Sequence, residues 1–356
     1  MNRRINIITM LIIILAVLIV FAGLAGASLL NIYKTVKTDP ESAFIAEATP
    51  LVLESSAVPV STATPAVIAH DLEYGGAYYN KNIHSINIVL LGFDDVEDRP
   101  DDGGNTDSLM VFQIDFDSAK VNVISIPRDT WTLVNEYDSD GALEYTYHTK
   151  INAAYSAAAR SKDRYPNVLS TIENLFNMEG QFDLGMDYYC SIDIKDVPKI
   201  TKVVGGVTVK LEHTIPGVGN AGETVTLDEE TCEIYLRDRS TGDGDITRAQ
   251  RHQKFMLALA KRIQALGGKK AALTLYDDAV RYIDTNLSLE QIAALAALMD
   301  QVDVDNIALY TVPGRVGSAT YERPGSHFGD YRSVYLVEET ALAKLIVSLY
   351  YEPVSE

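Results

Sequence analysis

Residues 86–91 read INIVLL, a continuous apolar run that is typical of a strand buried on both faces. Residues 107–116 and 121–126 predict two further strands, joined by a turn at 117–120. Later strands are predicted at residues 188–192, 207–211 and 307–312. The first of these runs therefore marks the centre of a β-sheet.

Helical patterns lie between and after these strands. Helices are predicted at residues 151–160, 167–176, 194–204, 227–236, 246–266, 270–283, 288–299 and 334–350. The pair Gly205 and Gly206 provides a stop signal after the third of them. Strands interleaved with helices indicate an α/β body whose central sheet is covered on both sides.

The N-terminus carries a membrane signal. After a tail at residues 1–6 with Arg3 and Arg4, residues 7–30 contain no charge. About 20 apolar residues span a bilayer, so this run predicts a transmembrane anchor. A cleaved signal peptide is the alternative, because residues 23–28 (GLAGAS) resemble a cleavage site. The short tail and large body favour an inside N-terminus and an extracellular body.

Residues 31–76 are rich in Pro, Ser, Thr, Ala and Glu and predict a disordered stalk. The remaining residues, 77–356, are enough for one large domain. Every acidic residue follows Thr38, and the chain has a formal net charge of −19. Such a body repels nucleic acid, so we expect no nucleic-acid partner. No zinc motif is present, and Cys190 and Cys232 predict either a disulfide or two buried thiols.

The segment 235–253 reads YLRDRSTGDGDITRAQRHQ, and its Gly/Asp loop breaks the chain before a helix that Asp245 caps. Cations are unfavourable at a helix N-terminus unless an anion completes the site. Phosphate suits arginine forks and free N–H groups best. The alternative is a solvated face in which the arginines pair with neighbouring aspartates. The segment predicts a phosphate site made of Arg237, Arg239, Arg248, Arg251 and His252.

Two aspartates are predicted to meet these arginines. Asp94 follows the first strand and Asp107 opens the second, so neighbouring strands would bring them to one end of the sheet. Two carboxylates with phosphate oxygens suit Mg²⁺, although aspartates are also common turn formers and caps. Arg128 follows Pro127 at the same edge, and Asp129 is its neighbour. Arg128 is predicted to join the site, with a structural ion pair as the alternative.

Several motifs resemble those of the LytR-CpsA-Psr family of bacterial envelope glycopolymer transferases. They are LLGFDD, GNTDSLMVFQID, VISIPRDT, KINAAYSAA, VVGGVTV and YLRDR followed by TRAQRHQ, in the family's order. The resemblance implies a three-layer α/β/α sandwich with a central mixed sheet, preceded by one transmembrane helix and the stalk. It also implies a polyprenyl tail in an apolar groove and a pyrophosphate held by arginines and Mg²⁺.

Matched position by position, the resemblance assigns magnesium to Asp94 and Asp107, and pyrophosphate to Arg128, Arg237, Arg239 and Arg248. His252 stands where the family usually has Gln, and Thr247 where it usually has Gly. Lys150, Asn152 and Tyr155 match a motif for which packing of a helix on the sheet is favoured over catalysis.

The activity implied by the resemblance is a Mg²⁺-dependent phosphoryl transfer. A peptidoglycan hydroxyl would attack the glycan-side phosphorus of a polyprenyl-pyrophosphate-linked glycopolymer, such as teichoic acid or capsular polysaccharide, and release the lipid monophosphate. Asp107 is favoured slightly over Asp94 as the base, and Arg128 completes the catalytic set. A polyprenyl-pyrophosphate hydrolase and a non-catalytic envelope-binding regulator are the alternatives.

Overall fold

A computed structural model of the chain describes residues 36–44, 70–93, 104–158, 164–238, 251, 254–255, 258–259, 261–262, 265, 282–299, 307–320 and 331–354. In chain order the strands are β1 (Leu72–Tyr74), β2 (Ala77–Lys81), β3 (Ser85–Phe93), β4 (Thr106–Asp115), β5 (Lys120–Ile126), β6 (Trp131–Tyr137), β7 (Leu143–Lys150), β8 (Tyr188–Asp193), β9 (Val207–Lys210), β10 (Thr224–Leu227), β11 (Ile283–Thr285), β12 (Ala308–Thr311), β13 (Gly314–Thr320), β14 (Tyr331–Val337) and β15 (Tyr351–Pro353).

The α-helices with defined bounds are α1 (Ala154–Ala157), α2 (Arg164–Asn177), α3 (Val197–Val203), α4 (Glu229–Arg237), α5 (Leu289–Met299) and α6 (Glu339–Tyr350). Short 3₁₀ turns lie at Pro40–Ala43, Ile151–Ala153, Met178–Gly180 and Ile194–Asp196. Asp228 caps α4, since its side chain accepts from the Thr231 N–H while the Thr231 hydroxyl accepts from the Asp228 N–H. The described residues between 251 and 265 are helical as well.

The central sheet contains six of the described strands in the order β11, β8, β3, β4, β5, β12. β3 is antiparallel to β4 and parallel to β8, and β5 is antiparallel to β4 and parallel to β12. The sheet is therefore mixed, which confirms the α/β class with a central mixed sheet. β3 is enclosed on both sides by other strands, as its apolar run predicts.

Alternate residues of β3 face two separate cores. Ile88 and Leu90 pack with α3, α4 and α5 on one face of the sheet. Val89 and Leu91 pack with α2 and α6 on the other face. Burial of both faces explains why β3 has no polar alternation, because every side chain of its centre leaves water. The described helices thus cover both faces of the sheet.

The segment 36–44 corrects the predicted stalk. Val36 is buried against Ala293 and Ala294 of α5. The ring of Phe44 lies 5.5 Å from that of Phe116 and 5.4 Å from that of Tyr188, measured between centroids. β1 also begins at Leu72, inside the predicted stalk. The prediction of a disordered stalk was wrong for these parts, because apolar residues spaced along a polar segment reach the body.

The predicted anchor, residues 7–30, lies outside the described residues, as do residues 45–69 of the stalk. None of the helices that the structure describes is long and apolar enough to cross a membrane.

Three element predictions differ from the structure. The closing helix predicted at 334–350 starts later, because Tyr331–Val337 forms β14, which pairs with β13, and α6 begins only at Glu339. Residues 207–211 do form a strand, but β9 pairs with β10 outside the central sheet. The predicted helix 270–283 lies outside the described residues except at its end, where Ile283 belongs to β11. Long-range strand pairing overrides local propensity in these cases.

Both cysteines are free and buried. Burial raises the pKa of the Cys190 thiol to about 11 and that of Cys232 to about 12. The thiolate forms are therefore scarce at neutral pH, and the buried-thiol alternative replaces the disulfide.

Candidate functional site

A β-bulge places Asp107 at one end of the central sheet. Gly92 pairs with Ser108 and Phe93 pairs with Thr106, so Asp107 is an extra residue in β4. A Cβ added to Gly92 would lie 3.0 Å from the Ser108 Cβ, so the two strands approach closely here. Such bulges redirect a side chain out of the regular ladder. Asp94 follows Phe93 directly in the chain but lies outside the described residues.

Arg128 reaches the same edge from β5, the other neighbour of β4. Its Nη1 donates a hydrogen bond to Asp107 Oδ1 at 2.7 Å. The two side chains are 28% and 21% exposed, so the pair is partly desolvated yet open to solvent. The structure thus brings together two of the predicted catalytic residues. A guanidinium beside a carboxylate at a sheet edge can bind a phosphate and still hold the carboxylate in place.

Backbone hydrogen bonds fix the position of Arg128. The Asn152 N–H donates to the Arg128 carbonyl at 3.2 Å, and the Ile151 N–H donates to the Thr130 carbonyl at 2.7 Å. The Thr106 hydroxyl donates to the Asn152 carbonyl at 3.4 Å. The motif KINAAYSAA therefore ties the Arg128 loop to the start of β4. Its contacts are those of a positioning element, in line with the packing role favoured from sequence.

Two side chains of the same motif also have structural contacts. Lys150 Nζ lies 2.9 Å from Asp129 Oδ1, so Asp129 pairs with Lys150. The ring of Tyr155 packs on Phe93 with centroids 4.5 Å apart, immediately before the position of Asp94. Tyr155 also packs on Tyr165, and burial raises the pKa of the Tyr165 hydroxyl well above its usual range. This hydroxyl stays neutral and cannot serve as a base at neutral pH.

Sequence reasoning missed Asp193, a further carboxylate on this edge. Asp193 ends β8 and pairs in register with Phe93 on the parallel neighbour β3. Its carboxylate accepts from the Lys195 N–H at 3.0 Å and lies 2.8 Å from Lys195 Nζ. Only the strand order could have revealed it, because nothing in the sequence states that β8 lies beside β3.

The second predicted group of arginines is described only in part. Arg237 ends α4, and its Nε donates to Glu233 Oε1 at 3.1 Å in an exposed pair one helical turn apart. Arg239, Arg248 and His252 lie outside the described residues. Their assignment to a pyrophosphate therefore stays a prediction.

Arg251 is buried, in contrast to Arg237. Its Nη1 donates to the backbone carbonyl of Asp238, and its Nη2 lies 3.1 Å from Asp238 Oδ2. The side chains of Arg251 and Asp238 are 4% and 8% exposed, and His213 Nε2 also lies 2.8 Å from Asp238 Oδ2. Arg251 thus joins the two ends of residues 239–250, the segment that contains Arg239 and Arg248. Its predicted pyrophosphate contact stays a prediction, and its described contacts are structural.

The described donor set can be compared with the needs of Mg²⁺. Asp107 offers a partly exposed carboxylate at the sheet edge, and a carboxylate has two oxygens, of which Oδ1 contacts Arg128. Hard oxygen donors of this kind suit Mg²⁺, which needs few protein ligands and keeps several waters. Asp107 therefore fits the predicted ion. Within the described chain, the cluster of three potential metal-ligating side chains is Glu41, His84 and Asp117, at the opposite end of the sheet.

Comparisons with known proteins follow from sequence and from structure. A model of the LytR_cpsA_psr family matches residues 31–347. A curated Bacillus anthracis protein, polyisoprenyl-teichoic acid–peptidoglycan teichoic acid transferase TagU, is 30% identical over 214 residues, which cover 58% of this chain and 62% of that protein. The chain thus matches somewhat less than two thirds of the length of this relative.

Two solved structures resemble this fold. A crystal structure of a Streptococcus agalactiae protein has a TM-score of 0.58 at 21% identity, covering 74% of this chain and 86% of that one. The crystal structure of Bacillus subtilis TagV has a TM-score of 0.54 at 23% identity, covering 74% and 95%. At these identities the likeness establishes the fold alone.

Proposed function

The chain belongs to the LytR-CpsA-Psr family, and from this premise we propose that it transfers an anionic glycopolymer from a polyprenyl-pyrophosphate carrier to a peptidoglycan hydroxyl. The observation that supports this function most is the pair of Arg128 and Asp107 at the bulged edge of the central sheet. It joins a phosphate-binding cation to a carboxylate in one fixed position. The transferase name of the Bacillus anthracis relative agrees with this chemistry.

In the proposed reaction Arg128 donates hydrogen bonds to the pyrophosphate oxygens and stabilises the charge that builds up during transfer. Arg237, Arg239 and Arg248 bind the remaining phosphate oxygens, and Arg251 holds the segment that carries the last two. The acceptor hydroxyl oxygen forms a bond to the glycan-side phosphorus while the bond to the bridging oxygen breaks. The lipid monophosphate leaves with that oxygen.

An aspartate accepts the proton of the attacking hydroxyl. Asp107 is the better placed of the two candidates in the described residues, because the bulge and Arg128 fix its carboxylate. Asp107 and Asp94 would hold Mg²⁺, which when bound supplies positive charge to the pyrophosphate oxygens. The protein is proposed to act outside the membrane, where residues 7–30 anchor it.

The test combines the full chain with a polyprenyl-pyrophosphate-linked glycopolymer, peptidoglycan and Mg²⁺. We expect polymer covalently joined to peptidoglycan and an equal amount of lipid monophosphate. Asp107→Asn should remove most of this activity without unfolding, whereas the matched control Asp183→Asn should keep it, because Asp183 is almost fully exposed.

Three results would contradict the proposal in different ways. Lipid monophosphate released without any polymer on peptidoglycan indicates a hydrolase. Lipid bound with no release under any condition indicates a non-catalytic binding protein. Full activity in the presence of a chelator removes Mg²⁺ from the mechanism.

A further inference from the structure

The hairpin β6–β7 has one buried and one outward face. Its strands pair in register from Trp131 with Lys150 to Glu136 with Tyr145. Val134, Tyr147 and Thr149 are buried on the inner face. α1 and α2 support this face, and the Asn167 amide donates to the Asn135 carbonyl at 2.9 Å. Because side chains alternate along a strand, the other residues form a second face that points away from the helices.

The outward face consists of rings, an exposed leucine and hydrogen-bonding groups. Its members are Trp131, Leu133, Asn135, Thr146, His148 and Lys150. The rings of Trp131 and His148 are nearly parallel, with an interplanar angle of 16° and centroids 6.3 Å apart. Leu133, the cross-strand partner of His148, is 49% exposed. This face is termed the hairpin platform.

The hairpin platform adjoins the candidate site through a rigid connection. Trp131 follows Arg128 by three residues, and the Thr130 hydroxyl and N–H both donate to the Pro127 carbonyl, at 2.6 and 2.9 Å. At the other strand of the hairpin, Asn152 and Ile151 hydrogen-bond to the Arg128 loop. A molecule lying on the platform would therefore be held in a fixed position relative to Arg128 and Asp107.

The charge of the hairpin selects among possible ligands. Residues 129–150 contain five acidic residues, Asp129, Glu136, Asp138, Asp140 and Glu144, against one lysine, Lys150. An anionic polymer is repelled by this surface. An uncharged sugar chain is not, and the C–H face of a pyranose ring packs well on an aromatic ring while its hydroxyl and amide groups hydrogen-bond at the ring edges.

We propose that the hairpin platform binds the uncharged glycan strand of the acceptor, with a sugar ring against Trp131 and His148. This inference rests on the proposed transfer and assigns its two substrates to different surfaces. The anionic donor binds at the arginines, and the neutral acceptor binds on the platform. Asn135, Thr146 and Lys150 offer hydrogen-bonding groups to the hydroxyls and amides of the sugar.

The first experiment uses Trp131 itself, since it is the sole tryptophan of the chain. Its fluorescence is measured in the full chain during titration with β-1,4-linked N-acetylglucosamine oligomers, and separately with a poly(glycerol phosphate). The oligomers should produce a saturable change in emission, because a sugar would remove water from the partly exposed indole. No change with the oligomers, or a change with the anionic polymer alone, would overturn the proposal.

The second experiment compares variants that keep Trp131. Leu133→Ala and His148→Ala should each weaken oligomer binding about fivefold or more, in line with a loss on the order of 1 kcal/mol for a stacking contact. The matched control is Tyr331→Ala, which removes an aromatic ring that is 79% exposed on the hairpin β13–β14. Equal binding in all three variants would show that the platform is not the sugar site.

The binding and transfer readouts separate this inference from the proposed function. In transfer assays Leu133→Ala and His148→Ala should raise the KM for peptidoglycan while donor binding stays unchanged. Sugar binding at Trp131 in a protein that transfers nothing would refute the proposed function and retain the platform. Transfer with an unchanged acceptor KM in both variants would refute the platform and retain the function.

Discussion

Two arginine–aspartate pairs occupy contrasting regions of the molecule. Arg128 and Asp107 meet at an edge of the central sheet and stay partly exposed. Arg251 and Asp238 are almost fully buried, with His213 as an additional partner of the aspartate. Arg128 can therefore exchange contacts with a ligand, whereas Arg251 is committed to the protein. The sequence assigns both arginines to a single phosphate site, and their burial separates them.

Burial changes what each pair contributes to stability. Removing one member of a buried pair leaves a charge without its partner and away from water, which costs several kcal/mol. Removing one member of an exposed pair costs little, because water replaces the partner. The same chemical pairing is therefore expected to stabilise the fold in one region and to serve function in the other.

The largest effect is expected for Arg251→Met. This change should lower the free energy of unfolding by about 3 kcal/mol, since Asp238 keeps only part of its compensation in a buried position. Urea unfolding followed by circular dichroism measures it. The matched control is Arg237→Met, whose exposed pair with Glu233 should cost no more than about 0.5 kcal/mol.

The contrast would fail if Arg251→Met kept its stability but lost lipid-substrate binding. In that case Arg251 would be a direct ligand of the pyrophosphate, as the sequence prediction has it.

A smaller effect, on activity rather than folding, is expected for Arg128→Ala. Transfer should fall by about 10- to 100-fold, because a hydrogen bond to a charged group is worth roughly 1.5–3 kcal/mol. Stability should fall by less than about 1 kcal/mol, since the pair is partly solvated. Steady-state transfer kinetics and urea unfolding measure the two quantities on the same preparations.

The control for Arg128→Ala is Lys202→Ala, which breaks an exposed ion pair with Glu229 on α3 and α4. It should leave transfer unchanged. An Arg128 variant that melts far earlier and transfers normally per folded molecule would place Arg128 with Arg251 as a structural residue.

The sequence predicts the central sheet well, for an identifiable reason. β3, β4 and β5 lie close together in the chain, and their apolar runs reflect burial on both faces. The meeting of Asp107 and Arg128 at one edge follows from the antiparallel neighbours of β4. Local patterns thus contain enough information wherever neighbouring strands are also neighbours in sequence.

Features that depend on distant pairing were missed. β14 has an apolar pattern compatible with a helix, and only its pairing with β13 makes it a strand. Asp193 joins the site edge because β8 lies beside β3 across most of a hundred residues. The hairpin β6–β7 did have a local signal, the alternation of Leu143, Tyr145 and Tyr147 after a turn at Gly141, whose φ is 82°. The burial of Arg251 had none.

The smallest effect is expected at the opposite end of the sheet, where the pair of His84 and Glu41 holds the segment 36–44 on the body. His84 Nδ1 lies 2.8 Å from Glu41 Oε1, and both side chains contact solvent. The hydrogen bond and charge of Glu41, with the charges of Asp117 and Asp115, raise the pKa of His84 above 6.5, while slight desolvation opposes them. Unlike the arginine pairs, this pair can be titrated.

A raised pKa in the folded state means that the pair stabilises docking of the segment fully below about pH 6.5. This contribution is lost as the pH rises through the higher pKa of the folded state. Hydrogen exchange at the Phe44 amide, which donates to the Glu41 carbonyl, should therefore accelerate over that pH range beyond its intrinsic base-catalysed increase. Glu41→Gln should lower the pKa of His84 in an NMR titration, and His84→Gln should remove the additional pH dependence. If Glu41→Gln leaves the pKa of His84 unchanged, the segment is held by Val36 and Phe44 alone, and charge contributes only at the other end of the sheet.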